Sequence, residues 1–207
     1  MRAYVAGAAL AGWVGLAIQQ YLIFYSRWMA DASLLGGLVN FFSFFTVLTN
    51  TLAAVVLSYA LVNRPSAACR FFLRPAVSSA VAVSIVVVGL AYSLLLRHLW
   101  SPEGWQFIAD ELLHDVMPLL FLGYWWFCVP KGALRFKHIG YWMTYPLVYF
   151  VYALLRGHVL GQYQYPFIDV DSLGYPQVFM NAGGILLGFV AVALAIVGLD
   201  RFLKPTP

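Results

Sequence analysis

The sequence predicts an all-α, polytopic membrane protein of six transmembrane helices with both termini cytoplasmic, and three observations predict it. The first is composition: 63% of the 207 residues are hydrophobic, only 10% are charged, and the mean hydropathy is +0.82, which is far more apolar than a soluble domain. The second is length. A hydrocarbon core roughly 30 Å thick takes about 20 apolar residues per helical span, so the chain holds about six spans and leaves nothing for a soluble domain. Residues 1–207 are accordingly expected to form a single domain. The third is the placement of charge at the ends of apolar runs, where it sets topology. A net charge of +4 spread over such ends is not a nucleic-acid footprint.

The first span is expected from about Ala3 to Phe24. Ala30-Asp31-Ala32 has the small-residue form of a signal-peptidase site, but the segment is read as a span that stays in the protein. After Gly36-Gly37, the second span runs from about Gly37 to Val62. Arg64, Pro65, Arg70, Arg74 and Pro75 make a basic, helix-breaking turn. The third span covers about Ala76 to Leu96 and ends near Tyr92 and Ser93. The fourth, about Ala109 to Val129, opens with Asp110, Glu111, His114 and Asp115 and contains Pro118. A second basic turn with Lys131, Arg135 and Lys137 precedes the fifth span, about Ile139 to Leu155, which leads to Arg156-Gly157-His158. The sixth covers about Gln177 to Leu199.

Arg2, the two basic turns, Arg201 and Lys204 lie on one side of this scheme, while Arg27, Arg97, Arg156 and nearly all the acids lie on the other. The positive-inside rule makes the first side cytoplasmic. Cys69 and Cys128 both fall near that reducing side, which argues against a disulfide.

Polar groups inside the apolar runs carry the functional reading. Ser43, Thr46 and Asn50 are three and four residues apart, so on a helix they share one face. Buried in lipid, such groups turn toward partners or a wet cavity. At about 1.5 Å per residue, Thr46 lies roughly 12–14 Å and His114 roughly 7 Å below the outer ends of their spans. Gln19, Gln20, Tyr92, Ser93, Tyr152, Arg156 and Asn181 fall in the same outer half. Together they suggest a chamber that takes an amphiphile, with its chains along Phe41, Phe44, Phe45 and Tyr149.

A threonine hydroxyl becomes a nucleophile only when a base removes its proton. His114 is the candidate base, and Asp110, one turn earlier, is placed to orient it; a solvated carboxylate at a helix N-terminus is the competing reading of Asp110. Glu111 and Asp115 are expected to pair with Arg97 or Arg156. Asn50, Arg156, Asn181, Ser43 and backbone amides are candidate substrate or oxyanion donors. No metal or cofactor is implied: HExxH, CxxC, Walker and GxSxG patterns are absent from the sequence. A haem held by His114 with His98 or His158 is disfavoured, because only His114 lies well inside a span. A carrier or binding protein for an amphiphile is the alternative to an enzyme.

Phe45-Thr46-Val47-Leu48-Thr49-Asn50, Leu113-His114-Asp115-Val116-Met117-Pro118, and the run from Tyr145-Pro146-Leu147 through Arg156-Gly157 to Tyr165-Pro166-Phe167 resemble the androgen-induced protein and androgen-dependent TFPI-regulating protein family. That family includes a bacterial six-span branch. The resemblance covers spans two, four and five and the following loop. It implies a threonine hydrolase of fatty acid esters of hydroxy fatty acids, with the family's threonine at Thr46 and its histidine at His114. Here the histidine stands four residues before its proline and is followed by an acid, a spacing slightly different from the mammalian motif.

Overall fold

In the computed structural model, residues 1–62 and 66–204 are described; Arg64 and Pro65 of the first basic turn lie outside them. Every regular element among the described residues is helical: α1 (Arg2–Met29), α2 (Leu34–Phe41), α3 (Phe45–Leu61), α4 (Ala67–Phe72), α5 (Pro75–Ala91), α6 (Gly104–Glu111), α7 (Met117–Cys128), α8 (Lys137–Leu160) and α9 (Val170–Phe202), with short π and 3-10 turns between some of them. Three helical segments are long and apolar enough to cross a membrane, Arg2–Met29, Pro75–Leu99 and Val170–Phe202, and the bent pair α2 and α3 makes a fourth. This is the architecture of a membrane-embedded helical protein. The chain divides into two compact units, Met1–Pro130 and Lys131–Pro207.

In the first unit α1 packs most extensively on α3, and α5 packs between α3 and α7. Small residues permit the close approaches. A Cβ at Gly12 would press on Met117 and Ala54, and one at Gly15 on Leu112 and Leu113. Trp125, fully buried, donates its indole N–H to Ser79 Oγ at 2.8 Å and so ties α7 to α5. Tyr4 reaches across from α1 to donate to the Leu120 carbonyl at 2.6 Å, and its hydroxyl occupies the space that a side chain at Gly123 would need. Gly123→Ala is therefore expected to cost about 1–3 kcal/mol, as overpacking does. Gly7→Ala, on α1 with open space around its Cβ, should instead be neutral or stabilising by the helix propensity gained. Thermal unfolding of the two variants in detergent measures the contrast.

The second expected span is not one straight helix. α2 ends at Phe41, Phe44 takes an extended conformation, and α3 starts again at Phe45 with a bend of 75° between the two axes. Phe41 and Val47 then meet Leu16, Ala54 and Leu113 in one buried cluster. Six residues apart, they would point about 120° away from each other on a straight helix, so the bend is what lets both bury in the same place.

The fourth expected span starts earlier than the acids suggest. Helix runs from Gly104 through α6, a π turn over Leu112–Val116, and α7. Pro118 bears on where the π turn ends. A π turn bonds each carbonyl to the N–H five residues on; Met117 N–H serves Leu112 O in this way, but the next in register, Pro118, has no N–H for Leu113 O. A second π turn, Tyr92–Leu96, ends α5 and passes into a 3-10 turn at Arg97–Leu99.

In the second unit α8 continues past its expected end to Leu160 and stops at Gly161, whose φ of 63° is the left-handed conformation glycine adopts most cheaply. α9 contains a break at Gly174, φ 73° and ψ 156°, just before Pro176. The expected start near Gln177 therefore marks its second segment. Buried Asp200 accepts from the Leu134 amide at 2.9 Å and holds the preceding turn against the end of α9.

Asp169 caps α9 outside the span. The hydroxyl of Ser172 donates to its carboxylate at 2.7 Å, and the amides of Ser172 and Asp171 donate as well, which together hold it below the usual carboxylate range against the opposing effect of burial. A depressed folded pKa contributes stability that is present above the unfolded value and lost as pH falls through the folded one. The amide resonances of Asp171 and Ser172 should therefore hold steady through the ordinary aspartate range as pH falls and titrate only below it.

Candidate functional site

Three segments of the first unit build the site: the start of α3, the π turn at the end of α5, and the π turn between α6 and α7. Thr46 is the second residue of α3 and only 9% exposed, directly after the break. Thr46 therefore lies in the first turn of α3, at the positive end of that helix's dipole.

Asn50 lies one turn later and is fully buried. Its Nδ2 donates to Thr46 O at 2.9 Å and to Leu113 O at 3.0 Å. Two carbonyl acceptors on one atom fix that atom as the nitrogen and settle which way the amide faces. Two consequences follow. The Thr46 turn is held to the π turn that carries His114, and the Leu113 carbonyl that Pro118 cannot serve receives its donor from Asn50. The other end of the side chain, Oδ1, is buried with no hydrogen-bond partner among the described residues.

His114 is stacked on Tyr92, with ring centroids 4.1 Å apart and planes 16° apart. Its Nδ1 lies 3.0 Å from the Asp110 carbonyl and 3.2 Å from Asp110 Oδ1. Both neighbours are acceptors, so Nδ1 carries a proton, and Nε2 is the nitrogen left to act as a base. Asp110 is 3% exposed and accepts from the Tyr92 hydroxyl through Oδ2. Burial inside a continuous helix rules out the solvated helix-terminus reading of Asp110. Arg97 lies over the Tyr92 ring, 4.8 Å from its centroid, and bonds Glu111 and Asp115. Of the two arginines expected to answer those acids, it is Arg97 that does.

Two of the candidate oxyanion donors are corrected by this geometry. Ser43 sits in the break, off the helix that carries Thr46 and Asn50, and donates its only hydroxyl proton to Val39 O at 2.6 Å. Asn50 has both amide protons engaged by carbonyls and offers an acceptor instead. Phe41, expected along an acyl chain, is 3% exposed within the core cluster. The bend also replaces the straight-helix depth estimate for Thr46 with the direct tie through Asn50.

Arg156 and Asn181 belong to the second unit. Arg156 donates to Gln162 O at 3.3 Å and to the Gln164 side chain. Asn181 donates to Phe167 O and accepts from Gln177, both at 2.9 Å, and Tyr149 packs in that unit's cluster around Ala153, Ile168 and Val178. His98 lies exposed in the 3-10 turn after α5, and His158 is exposed on α8.

The sequence placed Tyr92 among the polar groups of the outer half but gave it no part in holding His114 or Asp110. Its signal was present, a polar aromatic in the outer half of an otherwise featureless Val/Ala span. No family model, curated protein or solved structure matches the chain.

Proposed function

We propose that the protein is an intramembrane hydrolase of lipid-like acyl esters, of the type found in fatty acid esters of hydroxy fatty acids, with Thr46 as nucleophile and His114 as base. The observation that carries the reading is the commitment of His114 Nδ1 to Asp110, which reserves Nε2 for proton transfer on a turn tied through Asn50 to the turn of Thr46. Thr46 Oγ attacks the acyl carbon while its proton passes to His114 Nε2. The tetrahedral oxyanion is assigned to the Val47 amide, next after the nucleophile in the first turn of α3, an arrangement akin to a nucleophile elbow, where the amide after the nucleophile serves the oxyanion. Collapse expels the alcohol, which takes the proton from His114. Water then attacks the acyl-threonine, gives its proton to His114, and releases the carboxylic acid as Thr46 regains its hydrogen.

Six spans with cytoplasmic termini, in a bacterial inner membrane, complete the reading. Support comes from the four apolar segments together with the continuous helix of residues 104–128 and α8, which make six membrane-length pieces. A broken span whose second half begins at a functional residue is a recurrent way to bring helix dipoles and free amides into a membrane interior. The test is covalent labelling of the purified protein by a fluorophosphonate carrying a long acyl chain. Labelling of the wild type and its loss in Thr46→Val support the reading, and equal labelling of the two overturns it.

A further inference from the structure

The site's hydrogen-bonding and charge character define what it takes. Around His114, three carboxylates, Asp110, Glu111 and Asp115, face one guanidinium, Arg97. Glu111, Asp115 and Arg97 have side chains between 31% and 43% exposed, so they form the outward side of the cluster, and the loop that follows Arg97 adds Glu103 and no lysine or arginine. Arg97 is held by two of those acids, and its charge is more than matched. Independently, Asn50 turns both of its donors to backbone carbonyls and leaves Oδ1 as a buried acceptor that no described group satisfies. A buried acceptor in want of a donor is costly unless something supplies one. A carboxylate, all acceptor and negative, is wrong for both features. A hydroxyl suits both.

We infer that the substrate is an acyl ester that is uncharged and carries a free hydroxyl at the end near His114, chemically a partial acyl ester of a polyol, and that esters bearing a free carboxylate there are discriminated against. The inference rests on the amphiphile site and ester chemistry proposed above, and departs from a hydroxy fatty acid ester as the preferred substrate because that molecule carries a free carboxylate. Like charge at a half-exposed site exacts on the order of a tenfold loss, and salt screens it.

Three probes separate the two features: a long-chain monoacylglycerol, the same compound with both hydroxyls O-methylated, and the acyl ester of a hydroxy fatty acid as its free acid. Their binding to Thr46→Val protein in neutral nanodiscs is measured alongside their turnover by the wild type. The monoacylglycerol should bind at least about tenfold more tightly than the free acid, and the gap should narrow in 0.5 M salt and in the Glu111→Gln/Asp115→Asn double variant. O-methylation should weaken binding by a similar factor, with no dependence on salt. Equal or tighter binding of the free acid, or indifference to O-methylation, overturns the inference whether or not any ester is cleaved. The expected binding order without turnover of any probe would retain the inference about recognition and end the hydrolase reading.

Discussion

Thr46→Val should abolish ester hydrolysis, and His114→Asn should lower kcat/KM by about 10²–10⁴-fold, the range a positioned general base contributes. Each replacement is chosen to spare the fold. Valine is nearly isosteric with threonine, and Thr46 is flanked along the chain by Phe44, Phe45, Val47 and Leu48. Asparagine keeps an N–H near the position of Nδ1, where Asp110 can still accept it, while removing the nitrogen that would act as base. Because the two side chains act in one step, the double variant should be hardly worse than Thr46→Val alone, the non-additivity expected of a nucleophile and its base. Thr46→Ser should retain measurable turnover. The assay is release of free acid from a long-chain ester by protein in nanodiscs, with thermal unfolding as the check on folding. Undiminished hydrolysis by Thr46→Val would remove the threonine from the chemistry.

How far the sequence led is clearest at four places. The apolar segments were legible because about 20 residues of hydrocarbon leave an unmistakable trace, and their ends shifted by a few residues where polar side chains continue the helix, as at Lys137 and at Arg156 to Leu160. The pairing of His114 with Asp110 was legible from their four-residue spacing, which stays local even through a π turn. The break between Phe41 and Phe45 was not. Phe-Phe-Ser-Phe-Phe contains no glycine or proline, and the bend comes from the shared burial of Phe41 and Val47 against Leu16 and Leu113, partners set by the fold. Tyr92 likewise reaches Asp110 across a loop, in a register that two π turns shift from the ordinary helical count.

Asn50→Leu should be among the most destabilising single changes in the first unit, because the amide does what the backbone there cannot. Inter-helix side-chain bonds in membranes are worth only about 0.6 kcal/mol on average, since the separated helices find other partners. Leu113 O has no such recourse: the N–H in register for it in the π turn would be that of Pro118. Stranding it in the core should cost about 1–3 kcal/mol, the penalty of a buried unsatisfied carbonyl. Pro118→Ala restores an N–H at that place, so the loss caused by Asn50→Leu should shrink by about 1 kcal/mol or more in a Pro118→Ala background, against near-additivity if the two sites are independent. Reversible unfolding in mixed micelles of the wild type, both single variants and the double variant supplies the cycle. Additive losses would mean that Asn50 is not the donor standing in for Pro118, and the tie between the Thr46 and His114 turns would then have to rest on packing around Val47 and Leu113 alone.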